Sequence, residues 1–190
     1  MLWPLLALPF AAGALAGDPP PARPQAAVAS PRAAVESPQA AVASPPVLLR
    51  LAPVSGPVVS LTAADLDRLP RRTLQATYRT GAQHQMVKAE FSGVSLHDVL
   101  HLLGLPEGEA LRGEALRLYV LAEGADGYRV VFALAELDAA FTDNSVLVAD
   151  RRDGKPLDAT EGPLRIVAPA EKRPARWVRQ LVRITVQQAN

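Results

Sequence analysis

The chain has 190 residues, 18 prolines, no cysteine and a formal net charge of +1. That length suits one domain with appendages or two very small ones, and the near-neutral charge speaks against a dedicated nucleic-acid binder. The lack of cysteine excludes disulfides, thiolate metal sites, iron–sulfur clusters and thiol nucleophiles supplied by this polypeptide.

Leu2 to Ala16 is an apolar run ending in Ala14-Leu15-Ala16, the small-residue pattern that signal peptidase accepts. Residues 1–16 therefore read as a signal peptide, although the first basic residue is Arg23 and no positive n-region precedes the run. The run is short for a membrane-spanning helix, and Pro4 and Pro9 weaken it further, so the chain is not expected to be transmembrane. The localisation expected from this reading is periplasmic. Residues 17–46 hold three copies of a seven-residue unit, Ala26–Arg32, Ala33–Gln39 and Ala40–Pro46, each with a proline. Proline in every copy forbids a continuous helix, and the small side chains bury too little area to offset ordering. This stretch reads as a disordered, extended spacer.

Residues 47–190 read as one folded domain, α+β in class, mostly β with short helices. Alternation and β-branched content predict strands at Val47–Ala52, Thr73–Arg79, Met86–Phe91, Leu116–Ala122, Tyr128–Ala133, Ser145–Ala149, Leu164–Ala168 and Leu181–Gln187. Asp126-Gly127 and Asp153-Gly154 are turn signals between strand-like runs. Thr62 is placed to cap a helix over Ala63–Leu69 stopped by Pro70, and Ser95 to cap one over Leu96–Leu103 ending at Gly104. Ala135–Phe141 reads as a third, short helix, and Ser92-Gly93 as a loop.

Catalytic signatures are sparse. His97 and His101 are spaced i,i+4 with Asp98 beside them and could both reach one metal, but no third histidine lies nearby, and His84 sits in the preceding loop. No Gly-x-Ser-x-Gly elbow and no phosphate-cradling glycine loop is present. The richest segment is Pro163 to Arg179, a strand followed by Lys172, Arg173, Arg176 and Arg179 with Trp177 among them. Two guanidinium groups on such a loop could fork onto an anion while the indole offers a stacking face. The competing reading is a solvated basic loop paired to Glu171, with Trp177 in the core.

At this segment the sequence resembles the molybdopterin-binding domain of the sulfite oxidase family, which carries a Pro-Leu-Arg-Val-Val-Pro strand and a loop ending in Arg-x-Val-Lys-Trp. Pro163-Leu-Arg-Ile-Val-Ala-Pro169 and Arg173-Pro-Ala-Arg176-Trp177 occupy those places. Phe91-Ser-Gly-Val-Ser-Leu-His-Asp-Val-Leu100 is similar to the family's Phe/Trp-x-Gly-Val-x-Leu-x-Asp-Val-Leu, and Asp153-Gly-Lys-Pro-Leu157 to its Asn/Asp-Gly-x-Pro-Leu turn. The resemblance runs in order from about Thr73 to Val186 and implies the sulfite-oxidase molybdopterin-binding fold. It also implies that Ala76, in Thr73-Leu-Gln-Ala76, stands where the family's molybdenum-ligating cysteine would be.

The resemblance therefore implies an exported, non-redox binding module for a pterin or molybdopterin-like ligand. Small cysteine-free relatives of this kind include periplasmic pterin-binding proteins that relay ligand state to a membrane sensor, the partner expected here. No catalytic residue, no covalently bound cofactor and no metal ligand is expected, and molybdenum is not. The expected ligand-binding residues are Arg79, Asp126, Tyr128, Glu161, Arg173, Arg176 and Trp177, with Asp126 or Glu161 pairing a pterin edge and Tyr128 or Trp177 stacking on its faces. The alternatives are a molybdopterin-dependent oxidoreductase without a protein thiolate, or a ligand-free interaction domain.

Overall fold

The computed structural model describes residues 45–80 and 85–190. The expected signal peptide, nearly all of the expected spacer and His84 lie outside the described residues. Among the described residues ten strands build two sheets. In chain order they are β1 (Leu49–Ala52), β2 (Val59–Leu61), β3 (Arg71–Thr80), β4 (Gln85–Ser95), β5 (Leu118–Gly124), β6 (Arg129–Ala133), β7 (Leu147–Arg152), β8 (Lys155–Pro156), β9 (Arg165–Val167) and β10 (Leu181–Gln188). Two helices, α1 (Ala63–Asp67) and α2 (Leu96–His101), and four short 3-10 turns connect them. The first sheet has the order β2-β1-β10-β5-β6, with β1 and β10 parallel. The second runs β3-β4-β7-β8, and β9 also pairs with β7.

The expected α+β, mostly-β domain is what forms, with one core. Alternation explains it: β1 buries Leu49 and Leu51 and exposes Arg50, while β6 buries Val130 and Phe132 and exposes Val131. Phe91, Phe132, Leu96, Ile166 and Ile184 are among the largest fully buried side chains. At about 1.5–3 kcal/mol for each fully buried aliphatic or aromatic side chain, this inward set drives the two sheets together.

Local signals explain most boundaries. The Thr62 N–H donates to Asp65 Oδ2 at 2.9 Å, opening α1 as a capping box. Asp153 and Gly154 both have positive φ, +51° and +75°, the backbone of a two-residue hairpin turn between β7 and β8. Gly104, at φ +63°, closes the turn after α2.

Several expectations need correction. Ser95 occupies the cap position of α2 without a side-chain cap bond; the Leu96 N–H instead donates to the Val146 carbonyl at 2.8 Å. The third helix is only a 3-10 turn, Leu134–Leu137, because Asp138 leaves helical space and spends its carboxylate on the N–H groups of Gly108 (2.7 Å) and Ala140 (2.8 Å). Ser92-Gly93 is not a loop but lies in the C-terminal half of β4, at a register shift against β7. A Cβ on Gly93 would sit 2.1 Å from the Val148 carbonyl oxygen, so only glycine lets β7 approach there. The strands β2 and β8, of three and two residues, were too short to read in advance. The hairpin β3–β4 is longer than predicted, with ten register pairs.

Candidate functional site

Five of the seven expected ligand-binding residues meet in one cleft. It has a volume of about 360 Å³ and is lined by Tyr78, Arg79, Asp126, Tyr128, Glu161, Arg165, Pro174, Ala175, Trp177 and Arg179. That volume lies at the small end of the ligand-pocket range. β3 supplies Tyr78 and Arg79, the β5–β6 turn supplies Asp126 and Tyr128, and the segment through β9 supplies Glu161 and Arg165. The 3-10 turn Pro174–Arg176 and the run into β10 supply the rest.

The walls are tied by backbone bonds. Ile166 N–H donates to the Val178 carbonyl and Leu181 N–H to the Leu164 carbonyl, both at 2.8 Å, which holds the Trp177–Arg179 segment against β9. The Ala125 N–H donates to the Gln180 carbonyl at 2.9 Å, joining the β5–β6 turn to the same segment. A Cβ on Gly124 would meet the Arg179 carbonyl oxygen at 2.7 Å, so this approach also requires glycine. Tyr128, half exposed, donates its hydroxyl to the Ala175 carbonyl at 2.6 Å and spans the cleft mouth.

The floor is aromatic. Trp177 is buried, and its indole N–H donates to the Ala168 carbonyl at 3.0 Å. The Trp177 ring lies 4.8 Å from that of Tyr78 and 5.9 Å from that of Phe91, the latter edge-on. Against Phe91 and Trp177 sits Arg165, its guanidinium carbon 5.5 Å from each ring centre and its side chain only 6% exposed. Among the described residues, Arg165 Nε and Nη1 are buried without a hydrogen-bond partner. Nη1 is 2.9 Å from Glu161 Oε1, close enough for an ion pair but off the angle of a hydrogen bond. Orphaned buried donors of this kind each cost about 1–3 kcal/mol, which the Glu161 charge offsets in part for Nη1.

The expected residues divide accordingly. Arg79 is exposed at the rim and makes no ion pair among the described residues; the same is true of Arg179. Asp126 spends one oxygen on the Tyr128 N–H at 2.9 Å. Glu161 is not free for a ligand donor, because Arg152 Nη1 reaches both its oxygens at 3.0 and 2.9 Å while Arg165 takes the other side. Burial opposes the Arg152 charge, but Glu161, the Tyr78 hydroxyl and Asp158 outweigh it and raise its pKa.

Arg173 and Arg176 lie elsewhere. Arg173 is exposed and outside the cleft lining. Arg176 is spent on structure: it bonds Glu136 at 2.7 Å, Glu171 at 2.8 Å and the Val131 carbonyl at 3.0 Å, with its guanidinium 4.4 Å from the centre of the Phe132 ring. The Glu136 bond and the charges of both carboxylates hold its pKa above the usual guanidinium range, against the pull of burial. It braces the turn that carries Trp177. The residues sequence reasoning missed are Tyr78, Arg165 and Arg179; Arg165 carried a signal, a lone charge inside the apolar strand Leu164–Ala168.

No residue of this chain offers the protein thiolate that the metal half of a molybdenum cofactor would take. Ala76 is 2% exposed, lies opposite Ala89 in the β3–β4 register and does not line the cleft. A methyl group offers no lone pair, and the chain has no cysteine. Among the described residues no group of three or more His, Asp or Glu could hold a metal ion. His97 Nε2 and His101 Nδ1 both face Glu107 Oε2, at 3.4 and 3.1 Å. The cleft itself offers an aromatic floor, a largely buried guanidinium and a rim of arginines.

The comparisons with known proteins bear on the family and the fold. A family model described as oxidoreductase molybdopterin binding domain matches residues 51–190. No curated protein matches the chain. Among solved structures, the sulfane dehydrogenase SoxCD from Paracoccus pantotrophus is similar, with a TM-score of 0.56 and 21% identity. That match covers 74% of this chain and 38% of the other, so this chain spans well under half of its length and the likeness is one of fold.

Proposed function

Because the chain belongs to the oxidoreductase molybdopterin-binding domain family, with residues 51–190 in its sulfite-oxidase fold, we propose that it is a non-redox binding module for a pterin-type ligand with an anionic group. The observation that carries this reading is Arg165: a buried guanidinium with Nε and Nη1 unpartnered, lining an aromatic-floored cleft. Arg165 lines the cleft, and a charge-assisted bond from its guanidinium to an anionic ligand group would be one of the strong kind. Arg79 and Arg179 add positive potential at the rim, and Tyr128 offers the exposed aromatic face. A bound molybdopterin would bring redox chemistry with its metal; this chain's residues would bind and orient the organic part.

The N-terminal apolar run and the repeat spacer support export to the periplasm and reach toward a membrane partner, and a sensor enzyme that reads ligand occupancy suits a module without a metal thiolate. The deciding experiment purifies the protein from the periplasm, denatures it and measures released pterin fluorescence and molybdenum together. Pterin without molybdenum is the expected result. Molybdenum near one atom per chain would instead support an oxidoreductase without a protein thiolate. No released pterin, together with no binding of added pterins, would leave an interaction domain.

A further inference from the structure

The middle of the β3–β4 hairpin has an unusual pair. Ala76 faces Ala89 directly across the register, flanked on one side by Leu74 opposite Phe91 and on the other by Tyr78 opposite Val87. Two methyl groups leave a hollow on the inner face of a sheet whose neighbours are large. Yet Ala76 and Ala89 are 2% and 3% exposed, so something fills it.

The ring positions identify the filler. Phe91 lies four residues along β4 from Val87, the register partner of Tyr78, so upright side chains would hold the two rings about 14 Å apart. Their ring centres are 6.0 Å apart, and the Tyr78 ring is also 4.8 Å from that of Trp177. The Tyr78 and Phe91 rings therefore converge along the hairpin over the Ala76–Ala89 pair that lies between them. Tyr78 forms part of the cleft lining, from which both alanines are absent.

Building on the pterin reading, we propose that Tyr78 is the residue that sets this cleft's ligand class. Its ring plugs the hollow where a metal-bearing group would reach Ala76, so the cleft accepts a planar anionic ligand and no metal even if a thiol is restored at position 76. The distinction matters because a single Ala76→Cys reversal would otherwise be expected to recreate a metal ligand. With the plug in place, the new sulfur lies beneath an aromatic ring, in contact with neither cleft nor solvent. Exclusion here is steric, not only chemical. It resides in the aromatic residue two positions on, not in the alanine alone.

The natural chain has no cysteine, so a thiol introduced at one position is the only one to report. Ala76→Cys and the double variant Ala76→Cys/Tyr78→Ala would be compared by the rate of reaction with 5,5′-dithiobis(2-nitrobenzoate), folded and in urea. Molybdenum content would be measured after expression in a host that makes molybdenum cofactor. The folded single variant is expected to react roughly 100-fold slower than its urea-unfolded form, with the double variant recovering most of that rate. The single variant should carry no molybdenum. Equal rates for the two folded variants, or molybdenum loading of the single one, would overturn the proposal.

A measurement on the natural protein guards against misfolded variants. The Ala76 methyl resonance should lie upfield of its random-coil position through the Tyr78 ring current, and a random-coil position refutes the plug. Titrating the variants with a carboxylated pterin separates this idea from the ligand reading. A slow thiol without pterin binding upholds the plug and removes that reading; a fast thiol with binding intact does the reverse.

Discussion

Replacing Arg165 with methionine separates ligand binding from stability more sharply than any other change in the cleft. In the free protein Arg165 is 5% exposed, with Nε and Nη1 buried and unbonded. Two such donors cost the folded state on the order of 2–6 kcal/mol. Against that stand contacts with the Phe91 and Trp177 rings, each worth about 0.5–2 kcal/mol, and an ion pair to Glu161. Methionine retains an unbranched apolar stem between the rings, and Glu161 keeps Arg152 as a partner at 2.9 Å. The usual penalty for breaking a buried pair, an abandoned charge, is therefore absent. The free protein should lose no more than about 1 kcal/mol.

Binding should behave in the opposite way. A charge-assisted bond from the Arg165 guanidinium to an anionic ligand group is worth about 1.5–3 kcal/mol, or about 10- to 150-fold in Kd. Calorimetric titration with a pterin bearing a carboxylated side chain reads the affinity, and urea unfolding of the same samples reads the stability. Arg173→Ala, at an exposed position outside the cleft, is the control and should bind like the natural chain. If Arg165→Met binds within about threefold of the natural chain, or if its unfolding midpoint falls in step with its affinity, Arg165 is a structural residue and the ligand reading fails.

Further predictions follow from groups around the cleft. Arg176→Ala should lower stability by about 1.5–3 kcal/mol, because Glu136, Glu171 and the Val131 carbonyl all lose their partner, and ligand affinity should fall only through the loosened Trp177 turn; chemical unfolding and titration distinguish the two. Gly93→Ala should destabilise severely or prevent folding, since the added Cβ meets backbone at 2.1 Å with no side chain to yield, and soluble yield with circular dichroism checks it. Asp138 provides a pH test. Backbone bonds from Gly108 and Ala140 hold its carboxyl below 3.8, so its contribution is present in full above that value and is lost as pH falls through the depressed folded pKa. Asp138→Asn should therefore be less stable than the natural chain at pH 7, with the gap closing below about pH 3.8 in acid unfolding curves. A gap that stays constant across that range would refute the assignment.

How much of this was legible in the sequence depended on whether the signal was local. Capping at Thr62 and the Asp153-Gly154 hairpin are set by residues within three positions of each other, and both form as read. The cleft members Asp126 and Tyr128 were legible for the same reason, since a turn with a tyrosine after it is a local pattern. The third helix failed because its fate is decided at a distance. Asp138 caps the N–H of Gly108, thirty positions away, and no periodicity over Ala135–Phe141 could reveal that competition.

The arginines show the same division more clearly. Arg173 and Arg176 drew attention because basic residues cluster after a strand, and clustering is visible in a sequence. Whether a guanidinium faces a ligand or a carboxylate is decided by what folds beside it. Glu136, forty positions from Arg176, claims that group, and Glu171 shares it. Arg165 shows the converse, since burial makes a charge consequential and burial is a tertiary property. Its one local mark, a charge inside the run Leu164-Arg-Ile-Val-Ala168, breaks the pattern of an otherwise apolar strand. A charge in such a strand has to find a partner or bind something, because desolvation otherwise costs several kcal/mol. Glu161 takes one face of this guanidinium by charge without completing its hydrogen bonds, and that incomplete pairing separates Arg165 from the fully stapled Arg176.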